Sequence, residues 1–231
     1  MLSPEIIKTK KQFEKIRAVL VAQSPFVASL MFRMRVIADT SIPVACVDKH
    51  NVLHLNPVTF LRLPEEEQVF VISHETLHVG FCHVQRGKGK IPQLWNIAAD
   101  AVVNYMLEMN RLRPPKGTVT LDFVSKITGI SREELQKMKV EEIYNLLEQH
   151  LPKRRIGGKG GEKGMGQEEG EDLGSDLRPE SGEEDKKPVI QEGDQWSYEA
   201  KSEDEIIKKW KENVASALLA AKRAGNVPGN M

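Results

Sequence analysis

Apolar residues recur at helical spacing along much of this 231-residue chain. The first such set predicts a helix over residues 4–22, in which Ser3 is the N-cap and Pro4 opens the first turn. After another proline, the run FVASLMFRMRVI predicts a second, shorter helix over residues 26–37. The chain is therefore expected to begin with two consecutive helices.

The next pattern is typical of a β-hairpin. Two runs rich in apolar and β-branched residues, IPVACV at 42–47 and VLHL at 52–55, flank a polar segment that supplies the turn. Two apolar helices are predicted to follow, over residues 64–86 and 93–111. Three consecutive glutamates near the start of the first of these favour a helix N-terminus, because they complement the helix dipole.

Beyond residue 111 the apolar pattern weakens. Residues 113–123 predict a loop, a capping-box pattern (SREE) opens a short helix at residue 131, and residues 140–151 predict an amphipathic helix. Residues 153–195 are rich in glycine and charge. We predict that they form a disordered insert, because they cannot bury enough apolar surface to offset the entropy of ordering.

A final helix is predicted between a second capping-box pattern, Ser202 with Glu205, and a stop at Gly225. The chain then divides into a domain over residues 1–152, the insert over 153–195, and a C-terminal helix within 196–231 that packs back on the domain.

Composition narrows the class of protein. Hydrophobic residues make up 40% and charged residues 29%, as in ordinary globular proteins, and 33 basic side chains balance 33 acidic ones. Neither nucleic acid nor a membrane surface is therefore expected as a partner. The two cysteines are too few for a disulfide framework, and the chain shows neither a secretory signal nor an apolar run long enough to span a bilayer. We expect a cytoplasmic protein with reduced thiols.

The stretch richest in candidate chemistry is His-Glu-Thr-Leu-His at residues 74–78, in the most apolar predicted helix. Residues four apart in a helix share a face, so His74 and His78 can bind one zinc ion at about 2.0–2.1 Å. Glu75 points about 100° away, where it can take a proton from an attacking water and pass it to the leaving amine. The bare motif carries little weight, but polar residues in an apolar helix are costly unless paired. The alternative is two core histidines bonded to backbone carbonyls and a solvated Glu75.

A catalytic zinc ion needs a third protein ligand, and two residues compete for the role. Asp100 is preferred because a lone carboxylate in the middle of an apolar helix needs a cation or several donors. It could instead cap the helix or pair with Arg86. His83 is the less favoured ligand, since it lies nine residues after His74 and faces away on a straight helix. Gly80 could break the helix and let the chain turn back toward the histidines. However, both Gly80 and His83 come one residue too early for the H-E-x-x-H-x-x-G-x-x-H pattern.

Four other side chains are weaker candidates. Asn96 and Asn104 could orient the histidines or the aspartate from a second layer of contacts. His54 and Tyr105 could stabilise an oxyanion, although nothing in their spacing tests this role.

HETLHVGFCHVQR (residues 74–86), followed by LWNIAADAVVN (94–104), resembles a family of bacterial metallopeptidase domains that precede a von Willebrand factor A-like domain. The resemblance covers residues 4 to about 150 and the final helix. It implies a zincin-like site in which Asp100 joins the two histidines as a metal ligand. Related chains often occur with MoxR-type AAA+ ATPases, which implies a role in assembling partner proteins. This sequence ends at Met231, where the A-like domain would begin, so we expect a truncated chain or a short member.

We therefore expect an α+β fold, a mainly helical zincin-like domain with a small β-sheet or hairpin next to the H-E-x-x-H helix. The expected function is zinc-dependent hydrolysis of peptide bonds in a peptide or protein substrate. The alternative is a catalytically inactive metal-binding interaction module that works with a MoxR-type AAA+ ATPase.

Overall fold

The computed structural model describes residues 3–112, 114–151, 177–178, 187–194 and 202–225. Helices and short strands both occur within these ranges, which confirms the mainly helical α+β class. The helices are α1 (Pro4–Gln23), α2 (Pro25–Met31), α3 (Pro57–Phe60), α4 (Glu65–Gly80), α5 (His83–Arg86), α6 (Pro92–Met109), α7 (Leu121–Thr128), α8 (Arg132–Leu135), α9 (Val140–His150) and α10 (Glu203–Arg223). The strands are β1 (Val36–Ala38), β2 (Ala45–Asp48), β3 (Leu53–Leu55), β4 (Leu177–Arg178) and β5 (Val189–Gln191).

The strands form one mixed sheet in the order β4-β2-β3-β1-β5. The predicted hairpin is confirmed, because β2 and β3 pair antiparallel with Cys46 opposite His54. β1 pairs parallel with β3. At the edges of the sheet, β4 pairs parallel with β2 and β5 pairs antiparallel with β1. Every residue of β1, β2 and β3 is buried, so both faces of the sheet are covered.

Helix α4 lies at the centre of the molecule and packs against α2, α6, α10 and β2. Twelve of its sixteen residues are buried, and they run almost without interruption from Gln68 to Gly80. The three polar residues of the H-E-x-x-H motif therefore have no solvent face on this helix. Their polar atoms must find partners inside the protein.

Helix α4 ends at Gly80, so the prediction of one helix over residues 64–86 is wrong at its C-terminal end. Cys82 has φ = 53°, in the left-handed region that non-glycine residues seldom adopt. This single residue turns the chain before α5 begins at His83. The residues that follow the motif therefore fold back toward it.

Two further predictions need correction. Val36 and Ile37, predicted to be helical, form β1 together with Ala38, because a short apolar run fits a buried strand as well as a buried helix. Residues 113–123 were predicted to be a loop, but α7 begins at Leu121, where the Thr120 side chain accepts a hydrogen bond from the backbone N–H of Phe123 at 3.3 Å.

Part of the insert that was predicted to be disordered is ordered. Leu177–Arg178 and residues 187–194 supply the edge strands of the sheet. The side-chain amide of Gln191 donates to the carbonyls of Met31 and Met34 at 2.7 Å each, which ties β5 to the end of α2. The rest of residues 153–195 lies outside the described residues.

Helix α10 begins and ends as predicted and packs against α2 and α4. The Ser202 side chain accepts a hydrogen bond from the backbone N–H of Glu205 at 3.3 Å, and Gly225 (φ = 70°) follows the last turn. None of the helices that the structure describes is both long enough and apolar enough to cross a lipid bilayer.

Candidate metal centre

The candidate metal centre lies where α4 packs against α6. His74 and His78 are one turn apart on α4, and Asp100 faces them from the middle of α6. Nε2 of His78 lies 2.9 Å from Nε2 of His74 and 3.2 Å from Oδ1 of Asp100, and the remaining His74–Asp100 distance is 3.8 Å. All three residues are buried, and among the described residues they form the one cluster of three or more side chains suited to hold a metal ion.

The distances between the three ligand atoms fit a tetrahedral ion. Ligands bound at about 2.0–2.1 Å in a tetrahedron lie about 3.3 Å apart. The observed separations of 2.9, 3.2 and 3.8 Å bracket that value. Oδ1 of Asp100 is also buried without a hydrogen bond from the described residues, and burial raises the pKa of this carboxyl to about 6. A carboxylate in this position needs a cation, so the donor set fits a divalent metal.

The far side of the His74 imidazole is held by Asn104. Oδ1 of Asn104 lies 2.7 Å from Nδ1 of His74, and Nδ2 of Asn104 donates to the carbonyl of Val119 at 2.7 Å. Because a backbone carbonyl can only accept, the amide oxygen of Asn104 must face His74, whose proton then sits on Nδ1. The lone pair on Nε2 therefore points into the cluster.

His83 occupies the equivalent place behind His78. The Nδ1 atoms of the two rings lie 3.0 Å apart, and the carbonyl of His83 accepts a hydrogen bond from Nε1 of Trp95 at 2.7 Å. Burial lowers the pKa of His83 well below its ordinary value, and the nearby His78 and Arg86 lower it further. A neutral His83 can accept a hydrogen bond from Nδ1 of His78. The structure thus brings His83 against a candidate ligand and not into the cluster itself.

Glu75 lies in the same turn as the two histidines and is buried like them. On α6, Asn96, Asp100 and Asn104 follow one another at intervals of four residues, which places all three on one helix face. Glu75 is a further buried carboxylate, next in sequence to a candidate ligand. Such an arrangement can supply both metal ligands and a separate acid–base group.

The alternative roles considered for Asp100 do not match its position. Arg86 is engaged by Glu141, whose two carboxylate oxygens lie 2.7 and 2.9 Å from one guanidinium nitrogen. Asp100 is the ninth residue of α6, so it cannot cap the N-terminus of that helix.

The two candidates for oxyanion stabilisation are engaged elsewhere. The ring nitrogens of His54 lie 2.9 Å from Asp39 and 3.2 Å from Asp48, within the buried sheet. The hydroxyl of Tyr105 donates to the side-chain carbonyl of Gln136 at 2.8 Å. Neither side chain belongs to the candidate metal centre.

Two aromatic residues that sequence reasoning passed over support the histidines. Phe70, one turn before His74 on α4, stacks on its ring with the centroids 6.1 Å apart. Trp95 meets the ring of His83 edge-on at 6.2 Å. Trp95 directly precedes Asn96 in the second motif, and this position in the sequence could have indicated its place beside the site.

The sequence model of one protein family, described as "putative metallopeptidase domain", matches residues 8–231. The chain belongs to this family. The match includes α4 and α6, the two helices that form the candidate metal centre, and it confirms the resemblance to a metallopeptidase domain. The comparisons with curated proteins and with solved structures gave no match. The link to a von Willebrand factor A-like domain stays a prediction.

Proposed function

We propose that this protein is a zinc-dependent peptidase in which His74, His78 and Asp100 hold the ion and Glu75 is the catalytic carboxylate. The observation that carries the proposal is the buried cluster of two imidazole nitrogens and one carboxylate oxygen, 2.9–3.8 Å apart, on two packed helices. Membership of the metallopeptidase domain family supports the reaction class.

The donor set favours zinc over the common hard cations. Calcium and magnesium prefer oxygen ligands throughout, whereas two imidazoles with one carboxylate are a frequent catalytic zinc set. Three protein ligands leave one of four tetrahedral positions for water or substrate. When bound, zinc supplies Lewis acidity and makes water acidic enough to act as a nucleophile near neutral pH.

The residues around the ligands have distinct tasks. A carboxylate oxygen of Glu75 accepts the proton that the attacking water loses, and Glu75 then delivers this proton to the nitrogen of the leaving amine. Asn104 accepts a hydrogen bond from Nδ1 of His74, and His83 accepts one from Nδ1 of His78. These bonds fix both rings with Nε2 facing the cluster.

The substitution Glu75→Gln separates catalysis from metal binding. We expect wild type and Glu75→Gln to retain about one zinc ion per chain, since Glu75 is not a proposed ligand. Cleavage of a mixed peptide library should fall by a factor of about 10² to 10⁴ in the variant, the usual contribution of a general base. Elemental analysis measures the zinc, and mass spectrometry of the library measures the cleavage.

Glu66→Gln is the matched control, because Glu66 lies on the same helix but is exposed to solvent. It should change neither zinc content nor cleavage. Equal cleavage by wild type and Glu75→Gln would contradict the proposal. Wild-type protein that binds zinc and cleaves nothing would favour the inactive interaction module, for which a MoxR-type ATPase partner is the prediction to test.

A further inference from the structure

A pocket of about 260 Å³ lies where α5, the start of α6, the turn between β2 and β3 and the first residue of α10 meet. One part of its lining is largely apolar and the other is basic. The residues that matter here are Val84, Trp95 and Asn96 on the first part, and Lys49, Lys88 and Lys90 on the second.

The lining of this pocket continues into the residues behind the metal centre. Asn96 precedes Asp100 by four residues, which is about 6 Å along α6. Val84 directly follows His83, and the Trp95 ring contacts the His83 ring edge-on. Asn96 thus places the pocket lining about one helical turn from a candidate ligand, which equals about two residues of an extended peptide at about 3.3 Å per residue.

The charge in the pocket is unbalanced. Among the described residues that line it, three lysines face a single carboxylate, that of Glu203. Nζ of Lys88 lies 3.0 Å from Oε2 of Glu203, so these two charges offset each other. Lys49 and Lys90 form no ion pair with any residue in the part of the chain that the structure describes. The described part of the lining therefore has an excess of positive charge.

Lys90 is held at the pocket wall by aromatic rings. Its Nζ lies 4.5 Å from the ring centroid of Tyr144 and 5.7 Å from that of Trp95. Lys90 helps to lower the pKa of the nearby Glu141, but both carboxylate oxygens of Glu141 are bound by Arg86. An ammonium group beside an indole surface suits a ligand with a short apolar stem and a negative end.

We propose that this pocket is a substrate subsite for an acidic side chain, glutamate or aspartate, close to the scissile bond. The inference rests on the peptidase function proposed above. The carboxylate of the substrate side chain pairs with Lys49 and Lys90, and its methylene groups lie against Trp95. Acidic peptides are then the preferred substrate class.

Peptide hydroxamates test the pocket without requiring cleavage, because the hydroxamate anchors the peptide at a zinc ion. We would compare fluorescent ligands that carry glutamate or glutamine at each of the first three positions from the hydroxamate. At one position, the glutamate ligand should bind zinc-loaded wild-type protein about fivefold to tenfold more tightly, as measured by fluorescence anisotropy. The double variant Lys49→Glu/Lys90→Glu should lose this preference, whereas Lys126→Glu, at an exposed lysine on α7, should keep it.

A second measurement works with metal-free protein as well. Lysine acylation followed by mass spectrometry is run with a glutamate peptide and with its glutamine counterpart. The glutamate peptide should slow acylation of Lys49 and Lys90 and leave Lys126 unchanged. Lysine protection without any hydroxamate binding would contradict the proposed zinc peptidase function. It would still support the pocket as a binding site for acidic peptides. Equal binding of the two hydroxamates, or no lysine protection, overturns the pocket assignment.

Discussion

Each imidazole of the candidate centre has one polar side chain within hydrogen-bond distance of its Nδ1 atom. Asn104 lies behind His74 and fixes its proton on Nδ1, and His83 lies behind His78. In the proposed centre these residues act on the metal through another residue, whereas Asp100 is a proposed ligand of the ion itself. The two roles differ in how much metal affinity depends on them.

Substitutions at Asp100 and His83 should therefore weaken zinc binding to different degrees. Asp100→Asn should lower zinc affinity by more than about 100-fold, because a charged ligand is lost. His83→Leu should lower it by about 10- to 100-fold, the usual range for a residue behind a ligand. Competition with a chromophoric chelator measures both. His83→Asn should recover part of the loss, since its amide oxygen can accept the Nδ1 proton of His78.

The comparison decides between the two candidates for the third ligand. If His83→Leu weakened zinc binding as strongly as Asp100→Asn, and His83→Asn restored nothing, His83 would have to be treated as a direct ligand.

Residue spacing explains how much of this site the sequence could predict. A separation of four residues was enough to place His74 and His78 on one face, and a lone carboxylate in an apolar helix pointed to Asp100. The place of His83 could not be predicted in the same way. It depends on the left-handed conformation of Cys82, and cysteine is not a residue that favours that region.

At the scale of elements, one bidentate ion pair ties α5 to α9 and so holds the segment that follows the motif. Desolvation acts to raise the pKa of Glu141, but the hydrogen bonds from Arg86 outweigh it and the pKa is lowered. A carboxyl with a lowered pKa stabilises the fold above its unfolded-state pKa. This stabilisation is lost as the pH falls through the folded-state pKa.

Glu141→Gln should therefore lower the free energy of unfolding by about 0.5–1 kcal/mol at pH 7, the range for a partly exposed pair. The difference from wild type should begin to shrink as the pH falls below about 4.3, the ordinary pKa of a glutamate, and should disappear below the lower pKa of the folded state. Urea unfolding at a series of pH values measures it. Glu148→Gln on the same helix is the control, since Glu148 has no ion pair among the described residues. A difference that did not change with pH would show that the ion pair is not its source.

Strand β5 lies in a segment whose composition predicts disorder, and Gly193 follows the strand by two residues. Gly193 has φ = 66°, and a Cβ added there would come within 2.3 Å of the backbone of Met34. Gly193→Ala should thus destabilise the protein by more than about 2 kcal/mol, since backbone and not a flexible side chain would have to move. Gly129→Ala is a close match, with φ = 72° and open space around the position.

Gly129→Ala should cost only the left-handed strain of about 1–2 kcal/mol. Thermal or urea unfolding of both variants provides the comparison. Equal effects of the two substitutions would mean that the close approach of Gly193 to the Met34 backbone contributes little to stability.

The elements that the sequence did not predict share a physical cause. The strand at Val36–Ala38 lies in a short apolar run that fits helix and strand equally, and tertiary pairing decides between them. Strand β5 gains its order from β1 and from the carbonyls at the end of α2, which composition does not report. Helices with a proline in the first turn and a long apolar face, such as α1 and α6, needed no such context.

At the scale of the whole molecule, the candidate ligands join the central helix α4 to α6, and α6 in turn packs against α9. A metal ion at this junction would link elements that are distant in sequence. An ion that binds the folded chain but not the unfolded chain adds its binding free energy to the stability of the fold.

Zinc should therefore raise the Tm of the metal-free protein. At a free concentration 1,000 times Kd, the gain is about 4 kcal/mol, which corresponds to about 8–16 °C for a domain of this size. Asp100→Asn should lose most of this rise in differential scanning calorimetry, whereas Glu75→Gln should keep it because Glu75 is not a proposed ligand. Magnesium at the same concentration should give no comparable rise, since it prefers oxygen ligands. If the Tm were the same with zinc and with chelator, the cluster could not be the metal centre on which the peptidase proposal depends.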